Sequence, residues 1–316
     1  MERADTILKR IEEQTGQELI ITKRKLKRVE LIQMVRSARE ENRQEVGFSA
    51  RPFVLCGLPI KRPKRGELEH VRKNGRYFLR IVGDPKFGLP FGQDRLIPLW
   101  VATVALRTNS PEVLFNSGAE ILDAFGLPKD GKKYRRLVEG FTRVYTSTFY
   151  FGPVEHIDSL TTSSRRNYFD ELRLWYSREI DQSTLPGDFV NKIVLSPWFW
   201  EELKAHPIPV DFKVVKGLAD SPGALDFYVW VCWRCWSARR TDHIPLFGPG
   251  GLVNQLGVSG YATKRKFRQT LKRWIAVTSA LWPGCPASIS DSGEYLIVKH
   301  AKAIKPATED LPGLPV

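Results

Sequence analysis

One order of elements occurs twice along this chain, and that recurrence constrains the fold more than any other feature. Leu114-Phe115 and Leu246-Phe247 lie 132 residues apart, and Gly126 and Gly257 lie 131 apart. Tyr134, Val138 and Phe141 match Phe267, Leu271 and Trp274 at an offset of 133. Around these anchors the readings agree. An aromatic-aliphatic run reads as a buried helix (94–107, then 226–234), and a short strand follows (113–115, then 244–247). A short helix ends at Gly126 or Gly257, since a residue without a side chain permits the left-handed turn that closes a helix. A longer basic helix comes next (131–145, then 263–281), and two strand-like runs complete each set (147–151 and 167–176, then 287–290 and 294–299). Agreement at one interval across several elements is the mark of an internal duplication. Helix, strand, helix, turn, helix and hairpin is the order of a winged helix-turn-helix. The expected fold is therefore α+β, with two tandem, pseudo-duplicated winged helix-turn-helix domains.

The outer segments follow from pattern. Residues 1–47 read as an N-terminal amphipathic helical segment, because Ile7, Leu8 and Ile11, then Leu26, Val29, Ile32 and Met34, recur at near-helical spacing. Lys23, Arg24, Lys25, Lys27 and Arg28 lie between them and read as a solvated helix start. The first winged-helix domain is expected over 48–180, the second over 181–300, and a flexible tail over 301–316. YFLRIV (77–82) reads as a strand, GLPFGQ (88–93) as a turn, and PIKRPKRG (59–66) as a basic, proline-broken connector.

Charge gives the recurrence a chemical meaning. Lys and Arg number 49 against 35 Asp and Glu, a net +14, and positive fields concentrate polyanions. Residues 129–145 hold six cations and two acids, and residues 261–275 hold six cations and none, so these 32 positions carry +10. On a helical wheel Phe267, Leu271 and Trp274 form a core face, and Arg265, Gln269 and Lys272 lie opposite, flanked by Lys264 and Arg268. In the first basic helix Tyr134, Val138 and Phe141 form the core face, and Lys132, Arg136 and Arg143 oppose it with Arg135 at the edge. A helix of this kind suits the major groove, where Arg pairs with guanine, Gln with adenine, and nearby Lys meets phosphate. A single basic helix is ordinarily a solvated face. Two in equivalent positions favour DNA. The candidate DNA-binding residues are Lys129, Lys132, Lys133, Arg135, Arg136 and Arg143 in the first unit. In the second they are Tyr261, Thr263, Lys264, Arg265, Arg268, Gln269 and Lys272. Arg165 and Arg166 in the first wing, with Lys299 and His300 after the second hairpin, add phosphate donors that position without reading sequence.

Several classes are excluded. The longest apolar run, 96–106, has 11 residues, and a membrane helix needs about 20. No signal peptide is visible behind Glu2 and Asp5, and four cysteines make no disulfide framework, so a cytoplasmic location is expected. No GxxxxGK[ST] loop occurs, and the five histidines are never closer than 37 residues, which excludes a paired-His nicking site. Tyr134 and Tyr145 read as core aromatics rather than nucleophiles. Cys232 and Cys235 have the spacing of a zinc pair, which Cys285 and His243 could complete. The neighbouring Tyr228, Trp230, Trp233 and Trp236 instead favour packed thiols in a buried helix. The expectation is a chain that is not an enzyme and uses no cofactor and no metal.

Several blocks resemble the plasmid-encoded RepA replication initiators: ARPFVLCGLPIKRP (50–63), GLPFGQDRLIPLWVAT (88–103), SGAEILDAFGLPKDGKKYRRLVEGF (117–141), LPGDF (185–189), KAHPIPVD (204–211) and GPGGLVNQLGV (248–258). The resemblance spans about 48–300. It implies an initiator that binds repeats (iterons) in double-stranded plasmid origin DNA and remodels that DNA for a host replication initiator or helicase. It also implies kinship with iteron-binding initiators that use tandem winged helices, autorepression of the gene, and a homodimer as one form, although no residue assigns its interface. A transcriptional repressor acting through the same helices is the alternative, and a scaffold for acidic protein ranks last.

Overall fold

The computed structural model describes residues 23–156, 167–174, 191–256 and 263–305. The chain runs through α1 (Lys23–Glu40), β1 (Val46–Ala50), α2 (Arg51–Leu55) and the hairpin β2 (Glu69–Asn74) and β3 (Tyr77–Val82). A 3-10 turn, Gly92–Arg95, leads into the first unit. This comprises α3 (Leu96–Thr108), β4 (Glu112–Phe115), α4 (Gly118–Ala124), α5 (Gly131–Thr146), β5 (Thr148–Pro153), β6 (Phe169–Arg173) and β7 (Asn191–Leu195). The link is α6 (Pro197–Ala205), β8 (Pro207–Asp211) and α7 (Phe212–Leu218). The second unit is α8 (Pro222–Ser237), β9 (Thr241–Pro245), α9 (Leu252–Gln255), α10 (Lys264–Leu281), β10 (Ala287–Ile289) and β11 (Tyr295–Lys299).

Both units are winged helices with the same sheet logic. The strand after the first helix pairs with the last strand, which pairs with the middle one: β4-β7-β6 in the first unit and β9-β11-β10 in the second. Local chemistry explains the long helices. Asp130 caps α5 by accepting from the Lys133 amide at 2.8 Å, and Thr263 caps α10 by accepting from the Lys266 amide at 3.2 Å. Phe267, Leu271, Trp274, Thr278 and Leu281 recur at helical spacing and form the buried side of α10.

The first unit departs from the expected pattern in two places. The strand after α5 does not form a wing with the next one. Instead β5 adds antiparallel to β3 over six residue pairs, from Tyr77 against Pro153 to Val82 against Thr148. The pairing sets Phe149 opposite Ile81, both buried, and stacks Phe151 on Tyr77 with ring centroids 5.6 Å apart. The wing is β6 with β7, and β7 lies beyond the domain boundary expected at 180. The buried face of α5 is also shifted. Gly140, Phe141 and Val144 are buried, whereas Tyr134 and Val138 are half-buried and Tyr145 is exposed, so the two tyrosines are not the core aromatics expected. Likewise Trp236, at the end of the mostly buried α8, is 60% exposed.

The units share one contiguous hydrophobic core. β1 pairs with β8, and α1 packs on α7 and α10. Of the expected helical pattern in 1–47, α1 begins at Lys23, and the run Ile7 to Ile11 lies outside the described residues. Within the expected tail, Arg39 donates to the Ala303 carbonyl at 2.6 Å and the Lys305 amide donates to Gln44 at 2.9 Å. A buried guanidinium joins the two halves. Arg95 donates to Asp226 at 2.7 Å, to the Leu58, Pro59 and Gly92 carbonyls at 2.9, 3.0 and 2.9 Å, and so uses all three of its nitrogens. Arg95 and Asp226 stand 131 residues apart, the interval of the sequence recurrence.

Candidate nucleic-acid interface

The second basic helix presents an open cationic face. Lys264, Arg265, Lys266, Gln269, Lys272 and Arg273 are all exposed, and the apolar side of the same helix is buried. Lys266 and Arg273 join four of the five residues expected from the wheel. Arg268 is held differently. Its Nε donates to the Gly293 carbonyl at 2.8 Å and it pairs with Glu294, which ties α10 to the turn between β10 and β11. That turn is the Asp291-Ser292-Gly293 hairpin, and Gly293 supplies the positive φ of 69° it needs. Arg268 and Lys264 also lie over the Phe247 ring, at 5.1 and 5.3 Å. Thr263 spends its hydroxyl on the helix cap. Tyr261, Arg165 and Arg166 lie outside the described residues. Lys299 and His300 are exposed at the end of β11, and His300 Nδ1 lies 2.8 Å from the Ala238 carbonyl.

The first basic helix is less open than its charge suggests. Arg143, expected opposite the core, is 12% exposed and forms a bidentate pair with Asp94, which is 7% exposed, at 2.7 and 2.9 Å. The shift of the core face explains the difference: with Gly140, Phe141 and Val144 inward, Arg143 turns toward the 3-10 turn. Gly140 permits that close approach, since a Cβ there would stand 2.7 Å from Asp94 Oδ1. Lys129 pairs with Asp123, and Lys133 reaches Asp220 at 3.3 Å. Lys132, Arg135 and Arg136 are exposed.

A cavity of about 590 Å³ lies beside α5. Lys61 and Arg62 of the connector line one part of it, Lys133 and Arg136 another, and Leu122 and Phe125 are among the apolar residues. The sequence showed the connector's charge, but no local pattern could show that it lines one cavity with α5.

The thiols are packed as expected: Cys56, Cys232 and Cys235 are buried, Cys285 is half-buried, and all four are free. Burial pushes the Cys56 and Cys235 thiols up to about 12, which leaves them protonated and unreactive at neutral pH. Among the described residues no helix is long and apolar enough to cross a membrane.

Fold and site together define a double winged-helix protein with one open and one partly engaged basic helix. Residues 155–243 match the family described as plasmid encoded RepA protein, so the resemblance to these plasmid replication initiators is borne out over that stretch. No curated protein sequence matches the chain. Among solved structures the chain is similar to domains 2 and 3 of RctB. A selenomethionine derivative matches with TM-score 0.51 and 15% identity over 78% of this chain and 95% of that one. A second crystal structure of these domains matches with TM-score 0.50 and 14% identity over 77% and 95%. At such identity the likeness is one of fold.

Proposed function

We propose that this chain initiates plasmid replication by binding repeated origin sequences in double-stranded DNA with its two winged-helix units. The observation that carries the reading is the exposed face of α10, where Lys264, Arg265, Lys266, Gln269, Lys272 and Arg273 stand with no acid among them. The RepA match supplies the plasmid context. In this reading α10 and α5 enter successive major grooves, about 10–10.5 bp apart. Arg265 and Gln269 read bases, and the flanking lysines meet phosphate. The protein acts without catalysis, in the cytoplasm. Recruitment of a host initiator or helicase, repression of its own gene and a homodimeric form belong to the same proposal.

Footprinting of the purified full chain on the DNA upstream of its own gene tests it. Protected repeats are expected, and Arg265→Ala should weaken specific binding by about 1–3 kcal/mol while leaving random-duplex binding nearly unchanged. Equal affinity for repeats and random duplex at physiological salt would defeat the reading.

A further inference from the structure

The connector 59–66 carries a second concentration of charge that the reading above leaves unused. Lys61, Arg62, Lys64 and Arg65 are exposed, and among the described residues no carboxylate forms an ion pair with any of them. The nearest acid in sequence, Glu67, accepts from the Lys64 backbone amide at 3.0 Å and leaves the ammonium group unpaired. The acids that line the neighbouring cavity are engaged elsewhere. Asp94 and Glu139 face Arg143, and Asp220 faces Lys133.

The connector is pinned rather than loose. The Pro59 carbonyl accepts from the Gly92 amide at 2.9 Å, and the buried Arg95 holds the Leu58 and Pro59 carbonyls. Pro59 and Pro63 restrict the backbone further. Arg62 lies over Phe91 at 5.9 Å, and the same ring carries Arg143 of α5 at 4.8 Å. Four like charges held within five residues repel one another, and a polyanion relieves that repulsion. On α5, Lys129, Lys133 and Arg143 are already paired, which leaves Lys132, Arg135 and Arg136. The connector therefore offers more unpaired cations than the helix beside it.

We infer that the connector is a phosphate-contacting element of the first unit, whose Lys61, Arg62, Lys64 and Arg65 meet the DNA backbone flanking the groove that α5 enters. The inference rests on the DNA-binding reading above. Each phosphate neutralised on duplex DNA steepens the salt dependence of binding by about 0.9 in log–log slope. Replacing all four cations by Gln in the full chain should make that slope shallower by about 2–4 and leave the footprint and repeat preference in place. The four side chains are exposed, so the variant should still fold cooperatively, which a thermal melt checks. A charge-conserving variant, Lys61→Arg with Lys64→Arg, should keep the wild-type slope. A Gln variant whose slope stays within about one unit of wild type on both repeat and random duplex overturns the inference, and assigns the charge to an acidic protein partner or to solvent. A wild-type chain with no repeat preference defeats the initiator reading alone, because the connector comparison on random duplex still decides this one.

Discussion

Arg143 offers the sharpest test of how α5 is seated, since sequence placed it on DNA and the structure places it on Asp94. Replacing Arg143 by Met keeps the length of the side chain and removes the charge. Asp94, 7% exposed, then loses two hydrogen bonds, at 2.7 and 2.9 Å, and keeps its bond from the Phe91 amide at 2.9 Å. Removing one partner of a buried pair costs about 3–5 kcal/mol, because a charge stays behind without compensation. Whole proteins are stable by about 5–15 kcal/mol, so the loss is large. Replacing both partners, Asp94→Leu with Arg143→Met, leaves no orphaned charge, and such exchanges are often neutral. Urea unfolding of the two single variants and the double variant closes the cycle. The double variant should recover to within about 1–2 kcal/mol of wild type, which is an interaction energy of about 3 kcal/mol or more. The salt slope of DNA binding should be the same for wild type and double variant. A double variant no more stable than the weaker single, or a slope reduced by about 0.9, would refute the argument and return Arg143 to the DNA.

Three further outcomes follow from the same physics. Leu271, fully buried on α10, should cost about 2–5 kcal/mol as Leu271→Ala in chemical denaturation. Gly223→Ala would press a Cβ on the Trp274 ring and should cost about 1–3 kcal/mol in the same assay, by pushing α8 from α10. The third concerns pH. Burial raises Asp226 from 3.8 to about 6, against Arg95 and Arg72, and burial lowers His70 from 6.5 to about 4, with Arg72 acting the same way. As pH falls from 6.5 to 4, the folded chain gains a proton at Asp226 that the unfolded chain does not yet hold, which stabilises it. Over the same window the unfolded chain gains a proton at His70 that the folded chain refuses, which destabilises it. The two slopes oppose, so His70→Gln should gain stability relative to wild type on acidification, by up to about 1.4 kcal/mol per pH unit. A difference between the two proteins that is constant from pH 6.5 to 4 would contradict it.

Several elements were legible from sequence because their causes are local. The buried side of α10 is a spacing pattern, and Phe267, Leu271 and Trp274 occupy it as the wheel required. Gly126 closes α4 at a φ of 61°, and Gly293 turns the second wing at 69°, both positions that disfavour a side chain. The open face of α10 followed from the same wheel.

Sequence alone therefore determined the charge of the two basic helices, the core face of α10 and the glycine that closes α4, since each depends on residues within a turn or two of one another. Tertiary structure decided which of those charges are free. Asp94 lies 49 residues from Arg143, and no helical wheel contains that distance. β5 left the expected wing and pairs instead with β3, some seventy residues earlier, a partner that no local pattern contains. The start of the connector is held by Arg95, whose carboxylate partner is 131 residues away and which donates to the Leu58 and Pro59 carbonyls. Pattern specifies a surface; long-range contacts select the part of it left open to a partner.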